Sequence, residues 1–191
     1  LQHLEREGPG LFFNIAEERG FSVSIFRLDL GDSLPELRNG DLLLVLGGPM
    51  GIRDIGTSTY PWLIEEVRLI KEALNQGVGL IGVCLGAQLL AYAAGGDVEL
   101  LHEETSRQPL AEIGWDFIYP QSLGNKSKLA AFLSQPFPVL HWHGDRIILP
   151  NIAELIASSS RCKEQLFSIG SSAYGIQFHV EVVDEMVKTW I

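Results

Sequence analysis

Gly79-Leu80-Ile81-Gly82-Val83-Cys84-Leu85-Gly86-Ala87-Gln88 is the stretch that decides the fold. Gly79 to Val83 is a short apolar run of strand length, and from Leu85 to Ala94 the spacing turns helical until Gly95-Gly96 stops it. A buried strand that passes at once into a helix is one step of a parallel βα sheet. The step before it has the same form. Asp41 to Leu46 carries Leu42-Leu43-Leu44-Val45-Leu46 and ends at Gly47-Gly48-Pro49, the pattern of a strand covered on both faces. Between the two strands, Pro61 to Gln76 predicts an amphipathic helix. Pro61 suits its first position, Trp62, Ile64, Val67, Leu69, Ile70 and Leu74 form the apolar stripe, and Gly77 ends it.

Outward from this centre, Leu11 to Arg19 has helical spacing with Gly20 as its stop, and Phe21 to Leu28 alternates like a strand. Gly31 to Gly40 is a loop. The second half changes character. Glu112 to Tyr119, Val139 to Trp142, Arg146 to Leu149, Leu155 to Ala157, Gln165 to Ile169 and Tyr174 to Phe178 are short and β-prone, separated by Pro, Gly, Ser and Asn. Asp184 to Ile191 reads as a last helix. The expected fold is α/β: a doubly wound, mostly parallel sheet flanked by helices, with an antiparallel β region added in the C-terminal half. No linker divides the chain, so residues 1–191 are expected to be a single domain.

Composition narrows the function. The 191 residues carry 14 Lys plus Arg against 24 Asp plus Glu, a net charge of −10, and are 46% hydrophobic. That balance fills a core and argues against disorder. The acidic charge argues against a nucleic-acid partner, because phosphate recognition needs clustered positive charge. No apolar run reaches the roughly 18 residues of a bilayer span, so no membrane association is expected. No basic region followed by an apolar stretch marks a secretory signal, although the chain opens at Leu1 and leaves room for a signal or a first strand before it. The two cysteines, Cys84 and Cys162, cannot form a disulfide framework, and a reducing cytoplasm is the expected setting.

Gly82-Val83-Cys84-Leu85-Gly86 is the cysteine form of the Gly-x-Ser-x-Gly nucleophile elbow. A nucleophile there sits on a strained turn at the carboxyl edge of the sheet. Gly82 and Gly86 lack a Cβ and let strand and helix approach, and the helix N-terminus favours a thiolate. The plainer alternative is a buried cysteine in a tight turn. A nucleophilic cysteine needs a base. His179 ends a β-prone run in Phe178-His179-Val180-Glu181, and in extended geometry Glu181 points to the same side, where it can orient the imidazole. Gly47-Gly48-Pro49-Met50-Gly51 follows the other buried strand. The N–H groups of Gly48 and Leu85 are candidates for an oxyanion hole. An ordinary βα loop or a phosphate cradle is the alternative, but no Gly-Lys-Ser/Thr follows to make a P-loop.

Gly-Val-Cys-Leu-Gly-Ala-Gln, the Gly-Gly-Pro loop and Phe-His-x-Glu together resemble the class I, triad-type glutamine amidotransferases. The resemblance runs from about Asp41 to the C-terminus. His141-Trp142-His143-Gly144-Asp145 resembles the His-Gly-Asp segment of the GMP synthetase amidotransferase domain. The resemblance implies a flavodoxin-like amidotransferase fold with Cys84 as nucleophile, His179 as general base and Glu181 as the orienting acid. It implies an oxyanion hole from Gly48 and Leu85, and substrate contacts from Gln88, His143, Gly144 and Asp145. Glutamine is the implied substrate, an ammonia-accepting synthetase a possible partner, and no cofactor is needed. Many family members have Phe-His-Pro-Glu where this chain has Val180, and no synthetase domain follows within the chain. The nearer likeness is to stand-alone, GMP-synthetase-like amidotransferases, some of whose relatives cleave γ-glutamyl peptides. A γ-glutamyl hydrolase and a non-catalytic binding protein of the same fold are the alternatives. Stress-protein relatives that share the elbow commonly carry His directly after Cys, where this chain has Leu85.

Other residues read more plainly. A metal site from Cys84, His141, His143 and His179 is disfavoured, since no second close Cys/His pair exists. Trp62, Trp115, Trp142 and Trp190 are expected in core or edge packing, with Trp142 beside the site. Cys162, between Arg161 and Lys163, is expected to be an exposed loop thiol, and Glu103-Glu104 a solvated acidic edge.

Overall fold

The computed structural model describes residues 1–103, 105–121, 129 and 132–191. Its elements in chain order are α1 (Leu11–Glu18), β1 (Leu42–Val45), α2 (Leu63–Gln76), β2 (Gly79–Val83), α3 (Leu85–Ala93), β3 (Asp97–Leu100), β4 (Glu112–Pro120), β5 (Phe137–His143), β6 (Asp145–Ile148), β7 (Ala153–Ser158), β8 (Leu166–Ile169), β9 (Ala173–Ile176) and α4 (Asp184–Trp190). Seven strands make one sheet in the order β1-β2-β9-β8-β7-β4-β5, and β3 pairs with β6 in a separate ribbon. β1, β2 and β9 run parallel. The pairings from β9 through β8, β7 and β4 to β5 are antiparallel. The molecule is α/β, and the antiparallel region expected from the second half is the sheet's far side.

The parallel strands are apolar throughout because both faces are covered. Val45, Leu80 and Val83 are fully buried. α2 makes the crossover from β1 to β2, the connection that parallel pairing requires. Helix α3 is buried at every residue but Tyr92, as a helix apolar all round must be. It packs against β2 and β9 on one side and against β3 and β6 on the other. A second core of Ile118, Val139, Ile156, Ala157, Leu166, Ile176 and Phe178 fills the antiparallel side.

The ribbon strand β3 departs from the sequence expectation, since Asp97-Val98-Glu99-Leu100 is too polar and exposed to read as a strand. Its hydrogen bonds come from β6, opposite Asp145 to Ile148. Phe21 to Leu28, by contrast, forms no strand. Phe21 and Ile25 remain 50% and 46% exposed. Only Arg27 bridges, to Gln2, with Gln2 N–H donating to Phe26 O and Leu28 N–H to Gln2 O. Residues 1 and 2 thus lie between this segment and β1, where Leu46 N–H donates to Leu1 O at 3.1 Å. No helix among the described residues is long and apolar enough to cross a membrane.

Candidate active site

Cys84 stands between β2 and α3 with φ 50° and ψ −105°. Positive φ is costly for a residue with a Cβ, so the surrounding structure must hold it there. It does so by close packing. A Cβ added to Gly82 would lie 2.3 Å from Gly86 O, and one added to Gly86 would lie 2.0 Å from Val45 O. Cys84 N–H donates to Ile176 O at 2.8 Å, which locks the turn to the end of β9. Leu85 opens α3, where the first-turn N–H groups have no intrahelical acceptor.

The register delivers His179 to the same place. Val83 pairs with Ile176, so the residue after β2 and those after β9 leave the sheet at one edge. His179 N–H donates to Leu140 O at 2.8 Å, which draws in β5 and Trp142. Cys84 Sγ lies 4.0 Å from Trp142 O. His179 Nδ1 is 2.7 Å from Glu181 Oε1, which leaves the other ring nitrogen for the cavity that Cys84 and His179 both line. Burial alone would lower the His179 pKa. Its interactions with Cys84 and Glu181 outweigh burial and raise it to about 10. The second Glu181 oxygen accepts from Val180 N–H at 2.9 Å. Valine in place of the family's proline thus adds a donor to the carboxylate that proline lacks.

These groups open on a cavity of about 350 Å³. Cys84, His179, Gly48, Leu85, Gln88, His143, Gly144 and Asp145 all line it, and Glu181 sits behind His179. Gln88, 4% exposed, follows Cys84 by one turn of α3 and meets Gln177 Oε1 at 3.4 Å. Gly48 N–H has no hydrogen-bond partner among the described residues. Five lining residues lie outside the sequence expectation: Arg6, Glu7, Ala111, Ile113 and Trp190. A Cβ on Gly47 would lie 2.8 Å from a Glu7 oxygen, 3.5 Å from His179 Cε1 and 3.6 Å from Cys84 Cβ. Glu7 therefore lies close to Cys84 and His179. Burial raises its pKa, against the opposing pull of His179. The ring of Trp190 packs edge-on to His179 at 4.9 Å and to Trp142 at 5.9 Å, and its Nε1–H donates to Arg6 O at 3.0 Å. Chain-distant pieces that meet only in space leave no local pattern, and Glu5-Arg6-Glu7 reads as a plain charged segment.

The His143 ring faces the protein interior. Its Nδ1 lies 2.8 Å from Asp145 O and its Nε2 3.0 Å from Glu112 Oε2. Glu112, His141 and His143 offer ligand atoms within 4.8 Å of one another, and they are the residues among those described that could hold a metal. Both Glu112 oxygens already accept hydrogen bonds, from Ser159 at 2.6 Å and Gln165 at 2.6 Å. This set is distinct from the Cys84-containing group considered from sequence. Cys162 corrects an expectation. It is 2% exposed, and burial pushes its thiol up to about 12, although Arg161 and Lys163 flank it in sequence. Trp115 corrects another, being 65% exposed on the outer face of β4. Glu103 is exposed and meets Ser106; Glu104 lies outside the described residues.

An elbow cysteine at the carboxyl edge of three parallel strands, facing a carboxylate-bound imidazole, defines a class of protein. Glutamine amidotransferase class-I matches residues 11–189, and the chain belongs to that family. Among relatives, it is 33% identical over 189 residues to the glutamine amidotransferase-like protein YfeJ of Salmonella typhimurium, spanning 97% of this chain and 76% of that one. It is 29% identical over 153 residues to one of the subunits of glutamine-hydrolyzing GMP synthase from Saccharolobus solfataricus, covering 77% of this chain and 70% of that one. Among solved structures, a glutamine amido transferase from Methylobacillus flagellatus superposes with a TM-score of 0.87 at 33% identity, covering 99% of this chain and 72% of that one.

Proposed function

We propose that the chain hydrolyses the side-chain amide of glutamine to glutamate and ammonia through a thioester on Cys84. The single observation that carries this reading is Cys84 held at φ 50° on the same cavity as an imidazole that Glu181 secures at 2.7 Å. The Cys84 thiolate attacks the amide carbon. The N–H groups of Gly48 and Leu85 take up the oxyanion, an arrangement in which one donor contributes about 3 kcal/mol in related hydrolases. His179, protonated at neutral pH, gives its proton to the departing nitrogen as the carbon–nitrogen bond breaks and ammonia leaves. Neutral His179 then takes a proton from water, whose oxygen attacks the thioester, and glutamate and the Cys84 thiolate are released. Gln88 and the Gly144-Asp145 wall hold the rest of the substrate.

Residues 1–191 act as one glutaminase domain in this reading, and its ammonia passes to an acceptor. Likeness to a GMP synthase that is built from separate subunits favours a separate synthetase as the partner. The unpaired thiols fit a reducing compartment such as the cytoplasm. The test is glutamate release from glutamine by the wild-type chain and by Cys84→Ser, alone and with a candidate synthetase. Turnover that disappears with Cys84 is the expected result. Wild-type turnover that survives Cys84→Ser would overturn the assignment.

A further inference from the structure

Gly47 and Gly48 lie in close quarters against the side-chain ends of Glu7 and Met50. A Cβ on Gly47 would run into Glu7, and one on Gly48 would lie 2.5 Å from Met50 Sδ and 3.0 Å from Leu85. Two consecutive glycines are also the dipeptide least able to hold its own peptide plane. The Gly48 N–H can serve a developing oxyanion only if that plane is fixed before the reaction. The carbonyl on the same plane belongs to Gly47, and in a trans peptide it points opposite to the Gly48 N–H.

That carbonyl has a partner. His3 Nδ1 lies 2.9 Å from Gly47 O, and His3 Nε2 lies 2.8 Å from Glu66 Oε1 on α2. His3 and Glu66 are 1% and 0% exposed. A carbonyl only accepts, so Nδ1 carries a proton and donates, and the Nε2–Glu66 contact holds a second proton between ring and carboxylate. A buried polar pair of this kind costs desolvation that an apolar pair would avoid. Here it directs a donor at Gly47 O, the carbonyl of the peptide whose N–H is one of the two candidate oxyanion donors. We propose that His3, held by Glu66, is a positioning residue that clamps the Gly47–Gly48 peptide and so aims the Gly48 N–H at the substrate oxygen. The proposal rests on the glutaminase reading for its kinetic consequence, and its structural half stands apart from that reading.

Two substitutions separate the contacts. In His3→Asn the amide nitrogen takes the place of Nδ1 and can still donate to Gly47 O. In His3→Gln it takes the place of Nε2 and keeps only Glu66 company. The measurements are glutamine turnover, the rate of Cys84 alkylation by iodoacetamide, thermal melting, and the amide resonance of Gly48. Alkylation needs the thiolate but builds no oxyanion, so a general disturbance of the site slows it and loss of the clamp does not. The expected result for His3→Gln is a folded protein with kcat down about 100-fold, KM and alkylation little changed, and a shifted or doubled Gly48 resonance. His3→Asn should recover much of the kcat and the single resonance. Full kcat and an unchanged Gly48 resonance in folded His3→Gln would overturn the clamp, as would equal losses of kcat and alkylation. Should the wild-type chain turn over no glutamine, the glutaminase reading fails, and the Gly48 resonance alone decides for or against the clamp.

Discussion

At the scale of single residues, Cys84 holds a backbone conformation that stability alone would not choose. Strain of this sort costs of order 1–3 kcal/mol. Cys84→Gly is expected to relieve it, raising stability in urea by about 1 kcal/mol while abolishing turnover. A variant less stable than wild type would show that the turn is unstrained. His179 gives a pH prediction. Its pKa rises from 6.5 in the unfolded chain to about 10 in the fold, so folding stabilises the protonated ring. That contribution is fully present below pH 6.5 and is lost as pH rises through about 10. Unfolding free energies measured at pH 6 and at pH 10.5 should therefore diverge more in wild type than in Glu181→Gln, which removes one of the charges holding the pKa up. The same variant should lower kcat by about 100-fold and move the alkaline limb of the rate profile to lower pH.

At the scale of elements, β2 and α3 form a joint with no slack. Ala at Gly86 would place its Cβ 2.0 Å from Val45 O, where backbone rather than a flexible side chain must move. Gly86→Ala is expected to destabilise by roughly 3 kcal/mol or more, with lost turnover, read from urea unfolding and glutamate release. An effect below 1 kcal/mol would show that β1 can shift. Legibility followed locality. The strand–cysteine–helix step, α2 and β1 were readable because burial on both faces writes a continuous apolar signal, and the positions of Cys84, Gly48 and Gln88 on the cavity follow from those elements. Leu85 to Ala94 needed only periodicity. β3 was not readable because Asp97 and Glu99 are charged and its stability comes from pairing with β6. Phe21 to Leu28 failed in the other direction, since alternation supplies no partner strand. His3, Glu66 and Glu7 stayed hidden because their meaning lies in contacts across 44 and 63 positions for His3.

At the scale of the whole molecule, the site lies where two halves of one sheet meet. The parallel strands β2 and β9 present Cys84 and His179, while the antiparallel strand β5 supplies Trp142 and the turn through Gly144. Each thiol inherits its chemistry from its half. Cys84 faces the cavity, and Cys162 is 2% exposed, with a thiol pushed up to about 12 by burial. A glutamine-like electrophile at neutral pH is expected to modify Cys84 alone, with mass spectrometry of the digested protein as the readout; labelling of Cys162 at a similar rate would mean that its cover opens readily.

Trp190 leans on His179 from α4, a helix with no buried residue of its own. An indole packed edge-on to a cationic ring changes its emission whenever that ring gains, loses or shifts its charge. Under the proposed reaction, the difference in tryptophan emission between wild type and Trp190→Phe during a single turnover would time proton movement at that ring with no added dye.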